Sequence, residues 1–383
     1  MASETGRKSS RIVELDALRA LAAINLMLFH YTHVYSVKYG YTAPLGFEFP
    51  WGKYGVQLFF MLSGLVNAMT ILKKGDAGSF LASRCLRILP CYYIVIGLNL
   101  LLMCLMPLSA SFQWSWPQFW ANLTVMPNLF GYDCFEPVMW TLQVEVLFYG
   151  ILILLFARGW LEKPLPTVVV GLTICVLGCW AIDRLEIRLP PESATLGMLQ
   201  FARQLFLLDY FPLFAVGILL HDLWRRVQAG KYAAPAIETT YTQVGNALGI
   251  VAALVAFHCI DHHDHNPLVS IGLTALLGLG LFRWIPLLGC RPLVFVSGIS
   301  YMLYLLHDNL GSVMIHWMNH TLGLPPVLSF SVALPAAIAL ATLTTFALER
   351  PLTSYLRQRW LIRDTKPEAK SSSMTSVSHG VAS

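Results

Sequence analysis

Apolar residues fill this chain in blocks of about twenty, which is the length a helix needs to cross a hydrocarbon layer. Ten such blocks lie at roughly 12–36, 53–72, 88–107, 138–157, 165–182, 204–222, 241–260, 266–283, 294–318 and 326–348. The pattern predicts an all-α fold: a polytopic transmembrane helical bundle of about ten helices. No soluble domain interrupts the blocks, and no internal repeat is visible. Residues 1–11 read as a polar tail, 12–355 as the transmembrane domain and 356–383 as a second tail. From Asp364 onward that second tail is polar and Ser-rich, which predicts disorder. The first block carries Asp16, Arg19 and His30 with no cleavage site behind it, so it reads as an uncleaved span rather than a signal peptide. The segment 108–137 has no Lys or Arg but several Trp and Phe residues; it is either an interfacial segment at headgroup level or a packed loop.

Composition agrees with a lipid-embedded chain. Of 383 residues 56% are hydrophobic and 12% charged. The mean hydropathy is +0.60. A soluble globule needs a more polar skin. The formal net charge of +5 does not indicate nucleic-acid binding, because the basic residues sit in short segments between apolar blocks. With the N-terminus in the cytoplasm, twenty Lys and Arg fall on cytoplasmic segments and five (Lys38, Lys53, Arg184, Arg188, Arg203) on outer ones. That bias, with an even number of spans, places both termini in the cytoplasm. The eight cysteines are scattered without a CxxC pair and read as small packing residues. The loop His258-Cys-Ile-Asp-His-His-Asp-His265 matches no firm metal-ligand spacing and is expected to be a solvated polar loop, with no metal required. Asn122-Leu-Thr and Asn319-His-Thr are formal glycosylation sequons.

Ionisable residues inside the blocks carry the chemical information, since each costs several kcal/mol in hydrocarbon, about 2.5–3.5 for Arg or Asp at mid-span. Arg19 and His30 are eleven residues apart. They therefore share one helix face at a separation of about 16 Å. Asp16 is spaced to pair with Arg19, and His33 follows His30 one turn on. Glu145 lies about 10 Å below the outer end of the fourth block, at the depth predicted for His30. Thr141 and Tyr149 flank it at i−4 and i+4. An imidazole and a carboxylate at equal depth would meet in one polar cavity, where Glu145 would hold the tautomer of His30. In the ninth block Ser297, Ser300, Tyr301, Tyr304, His307 and Asp308 form a polar stripe, either functional or interhelical hydrogen-bonding glue. Arg84 and Arg87, one turn apart at the inner surface, are placed either to bind phosphates or simply to set topology.

Six segments in order resemble the acyltransferase 3 family of membrane acyltransferases. LDALRALAAINLMLFH resembles its Arg, ten residues, His signature, met by Arg19 and His30. GVQLFFMLSG, SRCLRILPCYY, MWTLQVEVLFY with Glu145, GISYMLYLLH with Ser300, Tyr301, Tyr304 and His307, and Glu349-Arg-Pro351 resemble further family motifs. Ala17 departs from a position where the family commonly carries Gly. The resemblance covers about residues 12 to 355. It implies about ten spans and transfer of an acyl group, often acetyl, from cytosolic acyl-CoA (acetyl-CoA as the expected donor) to a hydroxyl of an extracytoplasmic carbohydrate or glycolipid. The location it implies is the bacterial cytoplasmic membrane.

Acyl transfer requires a base for the acceptor hydroxyl, hydrogen bonds for the developing oxyanion and a cradle for the donor. His30 is assigned the base role and Glu145 its orientation, as in a triad. Arg19 is assigned to the donor's phosphates or its pantetheine arm, and Arg84 and Arg87 to further contacts with the donor's phosphates. Tyr149, Ser300, Tyr301, Tyr304 and His307 are assigned to lining the passage. The rival class is a transporter or flippase for a lipid-linked sugar, since intramembrane Arg, His and Glu also serve proton relays.

Overall fold

The computed structural model describes residues 12–105, 114–190, 193–230, 237–260 and 265–364. Residues 1–11 and 365–383 lie outside this description, as do Asp261, His262, His263 and Asp264 of the His-rich loop. Among the described residues the fold is all-helical, with no strand. The α-helices run α1 Val13–Phe29, α2 Tyr35–Lys38, α3 Gly55–Lys74, α4 Ala77–Leu105, α5 Trp116–Leu123, α6 Trp140–Ala157 and α7 Pro164–Glu186. They continue with α8 Ala194–Leu205, α9 Phe211–Gly230, α10 Ile237–Ile260, α11 Pro267–Leu281, α12 Arg291–His316, α13 Pro326–Thr344 and α14 Arg350–Asp364. Single π-helical segments, His30–Val34 and Thr345–Glu349, join α1 to α2 and α13 to α14.

Among the described residues, seven helical stretches are long and apolar enough to cross a membrane: Pro50–Lys74, Ala77–Leu105, Pro137–Ala157, Pro164–Glu186, Thr240–Ile260, Arg291–Thr321 and Pro326–Arg359. The expected count of about ten spans is not reproduced, since three of the ten expected blocks do not form helices of that length and hydropathy. The three that fall short do so for physical reasons. α11 has only 15 residues. α1 carries Glu14, Asp16 and Arg19, and α9 carries Asp222, Arg225 and Arg226. Both charged helices are sheathed by protein. Ala17, Leu18, Ala20, Ala22, Ala23, Leu26 and Met27 of α1 are buried, as are Leu213 through Val216 and Ile218 through Asp222 of α9. A charge there meets partners rather than lipid tails: Asp222 binds Arg225 at 2.6 Å, Arg226 at 2.7 Å and Asn246 at 2.8 Å.

The outer helices show the opposite pattern. On α10, Tyr241, Val244, Leu248, Val251 and Val255 recur at three- and four-residue steps and are all more than half exposed. Val170, Ile174 and Leu177 do the same on α7. Such apolar stripes are stable in lipid and costly in water, so the chain is an integral membrane protein. Between the central helices, small residues permit close approach. A methyl group at Gly217 of α9 would run into the Met61 carbonyl of α3, and one at Gly311 of α12 into the Tyr31 ring.

The 114–137 segment is anchored by α5. Ser115 caps it by accepting from Gln118 N, while Trp116 and Trp120 remain exposed. Asn122 is buried, donating to the Gln118 and Asp133 carbonyls and accepting from Phe135 N. Asn319 is likewise buried against Thr42 and the Leu324 carbonyl. Both sequon asparagines are thus structural side chains, inaccessible to glycosylation in the folded chain. Cys91, Cys175 and Cys179 pack in the interior, whereas Cys104, Cys259 and Cys290 are exposed.

Candidate active site

A cavity of about 780 Å³ lies between α1, α3, α4, α6 and α12. Arg19, Ser63, Asn67, Arg84, Arg87, Thr141, Glu145, Ser300, Tyr301 and Tyr304 line it with Phe59, Phe60 and aliphatic side chains. Three guanidinium groups face it against a single carboxylate. Arg84 donates to Thr70 Oγ1 at 2.9 Å and lies 5.3 Å from the Phe80 ring centre. Its buried Nε has no hydrogen-bond partner. Arg87 lies 6.0 Å from the centre of the Tyr301 ring, and Arg19 reaches Asp16 at 3.4 Å. The surplus positive charge, with donors not fully used, suits an anionic ligand bound through several N–H groups.

Glu145 is held firmly in the wall. Its Oε1 accepts from Ser63 Oγ at 2.9 Å and from Tyr149 OH at 2.7 Å, and Asn67 donates to Ser63 Oγ at 2.8 Å. α6 packs against α3 here, which fixes where the carboxylate points. The expected meeting of Glu145 with His30 is therefore corrected. Depth along a helix axis fixes a level, not a direction around the axis, and α12 rather than α6 lies along α1.

The imidazole of His30 faces α12. Its Nδ1 stands 3.0 Å from Asp308 Oδ1, off the direct N–H line, and its ring centre is 4.9 Å from that of His307 in an edge-to-face arrangement. His30 opens the π segment His30–Val34. Such widened turns re-aim side chains and recur at functional sites. His307 Nδ1 bonds the Tyr304 carbonyl at 2.7 Å, which leaves its buried Nε2 without a partner. Tyr304 joins the two groups of residues. It lines the cavity, its hydroxyl bonds Thr141 and the Val138 carbonyl, and its ring centre lies 5.8 Å from that of His307.

Glu136 sits behind Asp308, immediately before the span Pro137–Ala157. It is 1% exposed and accepts from the Asn309 backbone N–H at 3.1 Å. Burial and the nearby Asp308 charge push its carboxyl well above the ordinary carboxylate range.

Of the residues expected from the sequence, Arg19, Arg84, Arg87, Glu145, Ser300, Tyr301 and Tyr304 share the cavity. Tyr149 supports it by bonding Glu145. His30 and His307 form a neighbouring centre with Asp308, which stood on the polar stripe of the ninth block but carried no assigned role. Its signal was available: a carboxylate inside an apolar block, next to a histidine. His33 points elsewhere, to Glu48 at 3.2 Å. His258 bonds Ser270, and His265 packs edge-on against Tyr54. No trio of His, Cys, Asp or Glu among the described residues converges as a metal site.

Comparison with known proteins agrees with this architecture. No solved structure matches the chain. Nodulation protein 10 of Rhizobium leguminosarum bv. viciae is 25% identical over 335 residues, covering 80% of this chain and 85% of that protein. The family model described as an acyltransferase domain matches residues 12–346, nearly the whole helical bundle. The chain belongs to the acyltransferase 3 family of membrane acyltransferases.

Proposed function

We propose that the protein transfers an acyl group, acetyl in the simplest case, from cytosolic acyl-CoA to a hydroxyl of a carbohydrate or glycolipid on the far side of the membrane. The single observation that carries this reading is the cavity with three arginines and one carboxylate, bordered through Tyr304 by a paired imidazole.

In this reading Arg84 and Arg87 hold donor phosphates at the basic end of the bundle, and Arg19 holds the donor farther in. The thioester is then presented near Tyr304. His30 acts as the base through Nε2, with Asp308 as its positioning residue at Nδ1. The acceptor oxygen forms an ester bond to the thioester carbonyl carbon as Nε2 takes its proton. The carbon–sulfur bond breaks, and the thiolate leaves with a proton returned from the imidazole. Hydroxyls of Tyr301 and Tyr304 lie on the cavity wall, where they would stabilise the oxyanion. Both termini then face the cytoplasm, as the distribution of basic residues implies.

The test is mass spectrometry of envelope glycans from cells with and without the protein. Loss of an ester-linked acyl mass in its absence is the expected result. Unchanged glycans, together with transport of a lipid-linked sugar that needs no acyl-CoA, would replace this reading with a transporter.

A further inference from the structure

A second cavity, of about 520 Å³, opens on another face of α12 and uses none of the arginines. Its walls are Leu98, Leu101 and Leu105 of α4, Leu306 and Leu310 of α12, and Leu340 of α13. Leu98, Leu101 and Leu105 are 38%, 55% and 69% exposed, so the cavity opens sideways toward the hydrocarbon of the bilayer.

One end is polar. Glu136 lines it with one carboxyl oxygen bonded to Asn309 N and the other, Oε2, buried without a hydrogen-bond partner. The surroundings are rigid. Asn309 Nδ2 donates to Asn99 Oδ1 and to the Phe135 carbonyl, both at 2.7 Å, tying α4, α12 and the turn before α6 together at that end. An unpartnered buried carboxyl costs on the order of a lost hydrogen bond, and a ligand oxygen would remove that cost. The free Oε2 can bond a ligand hydroxyl whether or not the carboxyl carries a proton.

We propose that this cavity binds one hydrocarbon chain of a membrane lipid, entering from the bilayer between α4 and α13, with an oxygen at the lipid's polar end bonded to Glu136. Chain burial among leucines supplies affinity and the carboxyl fixes the register. The site stands independently of whether His30 is the base.

The full-length protein in lipid nanodiscs tests this with two photoactivatable diazirine probes, a phosphatidylcholine and an alkyl glucoside, with crosslinks mapped by peptide mass spectrometry. Labelling is expected on residues 98–105 and 306–310. It should fall at least severalfold in Leu310→Trp, and also in Leu101→Trp, a lipid-facing change that leaves folding intact. Leu177→Trp on the exposed face of α7 should not alter it. Glu136→Leu should lower labelling about fivefold, the worth of one hydrogen bond. Glucoside labelling that excess phosphatidylcholine fails to displace would assign a sugar-bearing lipid, and displacement would assign bulk phospholipid. Even labelling over α7 and α4, unchanged by both tryptophan variants, would overturn the proposal.

Discussion

His30 Nδ1 stands 3.0 Å from Asp308 Oδ1, although 278 residues separate them in the chain. The contact exists because α1 and α12 lie against each other at the centre of the bundle, close enough at Gly311 for the Tyr31 ring to occupy the space a side chain would take. Two groups that would each be expensive in hydrocarbon thereby become partners. Under the proposed chemistry this contact sets which imidazole nitrogen meets the acceptor.

If Asp308 acts through His30, their effects on turnover are not additive. His30→Ala and Asp308→Asn should each lower kcat by about 10²–10⁴-fold, and the double variant should be no slower than His30→Ala. Glu145→Gln, which acts on the cavity wall, should slow a His30→Ala background further. Steady-state transfer rates in nanodiscs with matched protein amounts measure this cycle.

The arginine cavity predicts an effect on donor affinity. Arg84→Gln and Arg87→Gln should each raise the KM for acyl-CoA by about ten- to a hundredfold, the worth of a charge-assisted hydrogen bond, with kcat changed far less. Arg203→Gln is the control. Arg203 is bound at 2.7 Å to both Asp183 and Asp209 on another part of the bundle, so its loss should leave KM unchanged. Donor-saturation curves separate the two outcomes.

Close backbone packing between α3 and α9 makes Gly217 a stability determinant. Gly217→Ala should destabilise the protein by about 1–3 kcal/mol, because the added methyl meets the Met61 carbonyl and the helices must part. Thermal unfolding in detergent should show a lower midpoint than wild type. Gly272→Ala, where a methyl group meets open space, should show none.

At the start of α4, Ser79 N donates to Asp76 Oδ2 at 2.6 Å, and the bonds from Ser79 hold this carboxyl below its ordinary value of 3.8. A depressed carboxylate contributes stability that is present above the unfolded-state value and is lost as pH falls through the folded one. The difference in unfolding midpoint between wild type and Asp76→Ala should therefore be constant near neutral pH. It should close below about pH 4.

The helices themselves were legible because lipid forces apolar runs of fixed length, and the cavity residues because a polar group in such a run stands out. Arg19, Glu145, Tyr301 and Tyr304 stand out in that way, whereas Arg84 and Arg87 lie just before the block at 88–107 and read as inner-surface residues. Three things were not legible. The rotation of each helix about its axis depends on packing against neighbours, so depth alone pairs Glu145 with His30 while its hydrogen bonds go to Ser63 and Tyr149. Burial inside the bundle also lets α1 and α9 carry charges that a lipid-facing span would not, which, with the shortness of α11, is why seven helices among the described residues qualify by length and hydropathy where the block pattern gives ten. The break before α9 was hidden too. The block at 204–222 reads as continuous, whereas the helix begins at Phe211 after Leu207 takes a left-handed backbone conformation.

Single-turnover transfer of labelled acetyl from acetyl-CoA, measured in nanodiscs holding either wild type or His30→Ala at equal folded amounts, decides whether His30 is the base. With His30 as the base, donor still binds the variant with near wild-type affinity while transfer to the glycan falls at least about a hundredfold. Transfer at the wild-type rate by the His30→Ala protein would contradict it.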